Sequence, residues 1–224
     1  MNHGDYILEL LKKYRGTGRT ILLIRHSVRE SLRCIPDGLH EDVPITPEGI
    51  VHAEEFGRKL RAIVPDKSLL IGHTAPRRCC MTAESIRSGY SSPANTRDLG
   101  ILPDIESVIV DHGNFSALWD ELGWHTLMRQ WLGGEIPEQT IHNPHDYSNR
   151  LLRKLVSFPA IEDTGLLVVV AHDVTIMPII ASACGTTLTT IDFLNGVVIN
   201  GDESGAEIQF ADPENSLCSE WSPE

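Results

Sequence analysis

Residues 166–171 (LLVVVA) are apolar at every position, and the run stops abruptly at His172 and Asp173. A strand with water on one face alternates polar and apolar side chains, so an unbroken apolar run belongs to a strand covered on both faces, as inside a parallel sheet. Such a strand needs helices above and below it. Two more runs have the same form: residues 20–24 (TILLI) stop at Arg25 and His26, and residues 68–72 (SLLIG) stop at His73 and Thr74.

Helical patterns fill the intervals. An amphipathic stretch at 6–14 precedes a break at Gly16, Thr17 and Gly18. Thr46 is placed as an N-cap, with Pro47 at the first helical position and Ile50, Ala53, Gly57, Leu60 and Val64 at helical spacing. Further helices are expected at 76–87, 115–132, 147–158 and 174–184. Residues 196–200 and 207–210 form a closing hairpin turned at 201–205, and the last dozen residues are expected to be a loose tail. Alternating β and α segments predict an α/β fold with a mainly parallel sheet flanked by helices on both faces. The 224 residues suit a single domain, 1–224, with a small helical cap inserted at about 100–148.

Charge narrows the partners. Nineteen Lys and Arg against 31 Asp and Glu give a net charge of −12, which disfavours nucleic acid and anionic membrane surfaces. An anionic substrate therefore needs a local basic cluster. No apolar run approaches the roughly 20 residues of a membrane helix. The amino terminus carries charge inside its amphipathic pattern, so no secretory leader is expected there. Cys34, Cys79, Cys80, Cys184 and Cys218 are odd in number and lack zinc-site spacing, so no disulfide framework is expected. The cytoplasm is the default location.

In an open α/β sheet the loops at the carboxyl ends of the strands form the ligand crevice. Arg25, His26 and Arg29, then His73, Thr74, Arg77 and Arg78, then His172 and Asp173 all follow predicted strands, so they can converge. Two histidines, several arginines and a carboxylate make a compact cationic pocket suited to a phosphoryl group.

The run Arg25, His26, Ser27, Val28, Arg29, Glu30, Ser31 resembles the R-H-G-x-R-x-P motif of the histidine phosphatase (phosphoglycerate mutase-like) superfamily, in particular its acid-phosphatase branch. Residues 74–84 (TAPRRCCMTAE) resemble the S-P-x-x-R-x-x-x-T-A-E segment, which aligns Arg78 with the phosphate-binding arginine. Residues 172–176 (HDVTI) are similar to H-D-x-T-I, and residues 45–49 (ITPEG) to the L-T-x-x-G helix start. The four segments stand in the family's order.

The resemblance implies a phosphoglycerate mutase-like fold and a phosphatase that hydrolyses a small phosphorylated metabolite through a phosphohistidine, without metal or cofactor. His26 would be the nucleophile. Arg25, Arg29, Arg78 and His172 would hold the phosphoryl oxygens, with His172 also counted among the catalytic residues. Asp173 would be the general acid, with Glu106 and Asp111 in reserve. A phosphomutase, or a phosphate-binding protein without turnover, are the alternatives. Ser27 stands where the family has glycine and Ser31 where the branch has proline, changes that would lower activity or alter substrate choice.

Some patterns have simpler readings. His142 and His145, with Asp146, sit in a polar loop that rarely makes a metal site. Arg77 is a solvated partner for a carboxylate such as Glu84. Trp119, Trp124 and Trp131 fit core packing, and Cys79 and Cys80 fit helix packing. His73 has no counterpart in the motif and faces either pocket or solvent.

Overall fold

A computed structural model describes residues 3–13, 19–32, 35–91, 96–158, 165–214 and 216–223. The strands β1 (Thr20–Arg25), β2 (Leu69–His73), β3 (Thr96–Ile101), β4 (Leu166–Ala171), β5 (Gly196–Asp202), β6 (Gly205–Ala211) and β7 (Ser216–Trp221) form one sheet in the order β3-β2-β4-β1-β5-β6-β7. The helices are α1 (Asp5–Lys13), α2 (Pro47–Ile63), α3 (Arg77–Tyr90), α4 (His112–Leu122), α5 (Trp124–Leu132), α6 (Pro144–Val156) and α7 (Asp173–Cys184). A 3-10 helix, Asp37–Asp42, lies between β1 and α2. Tyr14, the 16–18 break and Cys34 lie outside the described residues.

The apolar runs fall at the sheet centre for the reason their composition gives. Along β1 and β4, Ile21, Leu23, Leu167 and Val169 face a core shared with α5, α6 and α7. Their neighbours Leu22, Ile24, Leu166, Val168 and Val170 face a second core shared with α1, α2 and α3. Both faces are dry, and Thr20, the buried polar residue at the start of β1, is met by Lys67 Nζ over 3.2 Å.

The expectation of a mainly parallel sheet holds only for half of it. The pairs β1/β4, β2/β4 and β2/β3 are parallel, whereas β1/β5, β5/β6 and β6/β7 are antiparallel. For β5/β6 and β6/β7 the physical reason is connection length, since too few residues join these strands for a crossover and the neighbour must be antiparallel. The expected loose tail is instead β7, whose Trp221 is buried and whose indole N–H donates to Asn149 Oδ1 over 3.1 Å. Strand β3 was not legible: it is an edge strand with half-buried and exposed side chains and no apolar run.

The helix expected at 115–132 is two helices, broken at Gly123, whose φ of 72° and ψ of 157° leave helical space. Thr46 caps α2 as expected, accepting from Gly49 N–H over 3.0 Å. Helices α2 and α3 cross in close contact. A Cβ on Gly57 would stand 2.1 Å from the Ile86 carbonyl, and one on Gly89 would stand 1.9 Å from the Glu54 carbonyl. The start of α3 is tied to the residues that follow β1 by a separate contact, the Ser27 N–H donating to Thr82 Oγ1.

Candidate active site

At the carboxyl end of the sheet, β1 and β4 lie side by side, with Arg25 opposite Ala171. His26 N–H donates to the Ala171 carbonyl over 3.0 Å, extending the ladder by one step. His26 and His172 consequently emerge together, their ring centroids 5.4 Å apart and nearly edge to face. Thr74 N–H donates to the Val170 carbonyl and brings the β2 end into the same row.

The tautomer of His26 follows from its partner. Nδ1 lies 2.7 Å from the Ser27 carbonyl oxygen, which only accepts, so Nδ1 carries the hydrogen and Nε2 keeps its lone pair. Burial first, then the neighbouring His172 and Arg25, pushes His26 well below the usual imidazole range. Burial, with Arg78, Arg25 and Arg29 around it, does the same to His172. Both rings are therefore neutral at pH 7.

Around them stand three guanidinium groups. Arg25 pairs with Asp173 Oδ2 over 3.2 Å, donates to the Ile191 carbonyl, and lies 4.4 Å over the Phe193 ring. Arg78 donates from Nη1 to the His40 carbonyl over 2.6 Å, fastening the 3-10 helix to the site. Arg29 donates to the Glu30 carbonyl over 2.8 Å, and burial with Arg78 and Arg25 nearby lowers it to about 10. Among the described residues, the buried Nε atoms of Arg25, Arg29 and Arg78 have no hydrogen-bond partner. Buried donors are almost always satisfied, so three orphaned N–H groups around two neutral imidazoles fit an oxyanion.

A model of the histidine phosphatase superfamily (branch 1) matches residues 21–198. The chain belongs to the histidine phosphatase superfamily. The match is to branch 1, so the likeness of residues 25–31 and 172–176 to the acid-phosphatase branch stays a resemblance of motifs. No curated protein matches the chain in sequence. Among solved structures, YhfR of Bacillus stearothermophilus is 17% identical over 82% of this chain and 92% of its own, with a TM-score of 0.58. A phosphoglycerate mutase from Bacillus anthracis str. Sterne is 16% identical over 83% and 90%, at 0.57. A mycobacterial glucosyl-3-phosphoglycerate phosphatase is 16% identical over 91% and 97%, at 0.55. At such identities the likeness is one of fold.

Within this superfamily fold, the two residues that depart from the motif in the first loop have structural explanations or none. Ser27 keeps an ordinary φ, since among the described residues the positive values outside glycine belong to Ser91 and Leu194. Its N–H donates to Thr82 Oγ1 over 3.0 Å and its hydroxyl donates to the Gly49 carbonyl over 2.8 Å. The side chain thus points into α2 and adds no bulk beside His26. Nothing in the structure explains Ser31.

The six residues singled out from the sequence, Arg25, His26, Arg29, Arg78, His172 and Asp173, are brought together. The reserve acids are engaged elsewhere: Glu106 pairs with Lys154 over 2.9 Å, and Asp111 caps α4 by accepting from Asn114 N–H. His142 stacks on Tyr147, and His145 lies 3.2 Å from Asn149 Nδ2. His73 is buried in β2, with Nδ1 2.9 Å from the Thr74 carbonyl, and so does not face solvent. Arg77 is exposed, and Trp131 is packed in the core.

Three neighbours of these residues were given no part in the site by the sequence. Cys79 Sγ sits 3.6 Å from His172 Nε2, and burial pushes its thiol up to about 12, so it stays protonated. Thr82 receives the Ser27 N–H. Phe193 lies under Arg25, in a stretch whose sequence (DFLNG) signals only a turn. No helix among the described residues is long and apolar enough to cross a membrane.

Proposed function

We propose that this protein is a metal-independent phosphatase that hydrolyses a small phosphomonoester through phosphorylated His26. The observation that carries the reading is a buried His26 whose Nδ1 is held by the Ser27 carbonyl, leaving Nε2 its lone pair, in one site with Arg25, Arg29 and Arg78, whose Nε–H donors are unused. Phosphoryl transfer asks mainly for positioning and charge stabilisation, which this arrangement supplies.

The Nε2 lone pair attacks phosphorus in line and the P–O ester bond breaks, while Arg25, Arg29, Arg78 and His172 hold the equatorial oxygens. Asp173 protonates the departing alkoxide and, as carboxylate, then takes a proton from the water that cleaves the N–P bond. Asp173 is paired with Arg25, and the proton it passes to the alkoxide can come from the substrate. A phosphomonoester monoanion, abundant below about pH 6, can hand one over as its oxygens take Arg25 from Asp173.

Residues at about 100–148, with α4 and α5, are the proposed cap that chooses the leaving group. Its support is the tie from α5 to the loop beside the site: Trp124 Nε1 donates to the Thr189 carbonyl over 2.8 Å. Neighbours of this fold include a phosphoglycerate mutase and a glucosyl-3-phosphoglycerate phosphatase, so a small phosphorylated acid or sugar belongs in the first substrate panel.

The test is release of phosphate from an aryl phosphate in the presence of a chelator, with acid-labile phosphohistidine trapped by rapid quench and mapped by mass spectrometry. Wild type should turn over and carry the label on His26, and His26→Ala should do neither. Equal release by both proteins would reject the reading.

A further inference from the structure

The segment between α7 and β5 is fastened to the site at more points than a connection requires. Ile191 offers its carbonyl to the Arg25 guanidinium. Leu194 N–H donates to the Arg25 carbonyl over 3.1 Å, and Arg25 N–H donates to the Asn195 carbonyl over 2.9 Å. Leu194 has φ 59°, in the left-handed region that leucine seldom enters. The reversal sends successive side chains apart, with Leu194 buried in the core under α1 and α2 while Phe193 is turned onto Arg25.

Phe193 belongs to a continuous series of rings. Its centroid is 5.7 Å from His26, and Arg25 Cζ lies 4.4 Å over its face. On the other side His3 approaches edge-on, 5.8 Å away at 80°, and His3 in turn lies 5.2 Å from His52 of α2. His3 stands just ahead of α1, which is held by four buried apolar residues and by the Asp5–Lys59 pair at 2.9 Å. The superfamily match begins at residue 21, so this support comes from a part of the chain beyond the matched span.

We propose that Phe193 is a positioning residue of the oxyanion cradle, acting through Arg25 and His26, and that His3 holds Phe193 in place from the chain ahead of the family core. The inference rests on the phosphate-site reading above. With its terminal nitrogens engaged by Ile191 and Asp173 and one face covered by Phe193, the Arg25 guanidinium has few orientations left. An aromatic face attracts a guanidinium through its quadrupole, which a leucine of similar apolar character lacks.

The experiment uses the full chain and reads tungstate affinity by calorimetry together with kcat and KM on an aryl phosphate. Phe193→Leu should weaken tungstate binding about threefold to thirtyfold and lower kcat more than it raises KM, and Phe193→Trp should restore both. His3→Ala should act in the same direction but less, with recovery in His3→Phe. Tungstate affinity unchanged in Phe193→Leu, or equally poor in Phe193→Trp, would overturn the proposal. Should Phe193→Leu fail to fold, His3→Ala decides, because His3 is exposed and an unchanged affinity there removes its role. A wild type that binds tungstate but turns over no phosphomonoester would refute the phosphatase reading while leaving these affinities to judge the ring series. A wild type that binds no tungstate would refute both.

Discussion

The Nη2 of Arg25 stands 3.2 Å from Oδ2 of Asp173, while Asp173 Oδ1 accepts the Val174 N–H over 3.0 Å at the start of α7. One carboxylate therefore both orients the Arg25 guanidinium and meets the first turn of a helix. Removing its charge without its shape separates the two jobs. Asp173→Asn should lower kcat by about 100- to 10,000-fold with an alkyl phosphate and much less with a p-nitrophenyl ester, whose leaving group needs no proton. Equal losses on both esters would assign Asp173 to orientation of Arg25 alone.

The two neutral imidazoles give stability a defined pH dependence. His26 and His172 are both held well below the ordinary histidine value, chiefly by burial. Below about pH 6.5 the unfolded chain binds protons that the native state refuses, so stability rises with pH. Their contribution is complete above about pH 6.5 and declines from there towards the lowered native values, by up to about 1.4 kcal/mol per pH unit for each histidine. Urea melts across this window should show the decline, and His172→Gln should shallow it by about one proton.

Ser27 offers a check on the first loop. Its hydroxyl satisfies the Gly49 carbonyl at the start of α2, and its backbone is free of left-handed strain. Restoring the family's glycine should therefore bring no gain in kcat/KM, and Ser27→Gly should cost about 1 kcal/mol through the lost hydrogen bond and added chain freedom. A marked rise in kcat/KM would mean that the serine obstructs the nucleophile.

Arg78 joins the cradle to the 3-10 helix through the His40 carbonyl, with its Nε still unused. A lysine keeps the charge but loses the planar fork. Arg78→Lys should lower kcat/KM by about 100- to 1,000-fold, the scale of removing one donor to a transition-state anion. Steady-state kinetics on an aryl phosphate reads this directly. A change of only a few fold would show that charge alone suffices at this position.

Much of this could be read from the chain because burial leaves marks on local sequence. The fully apolar β1, β2 and β4, each ending in polar residues, gave the sheet centre, and the crevice rule gave Arg25, His26, Arg78, His172 and Asp173 as neighbours. Edge strands leave no such mark. Residues 96–101 and 216–221 are half solvated, so their composition resembles that of loops, and β3 and β7 went unseen.

The amino-acid sequence by itself determined which segments must lie in the sheet interior, which helices cover them and which polar residues cluster at one end, because apolar periodicity and strand-end chemistry are local properties. Only the tertiary structure decided the antiparallel pairing of β5 with β1 and of β7 with β6, the free nitrogen of His26, the pairing of Arg25 with Asp173 and the placing of Phe193 between Arg25 and His3. The Arg25 pair and the Phe193 contacts depend on distances of a few ångströms between residues far apart in the chain, and the His26 tautomer on a ring orientation that the same packing sets, none of which a local pattern encodes.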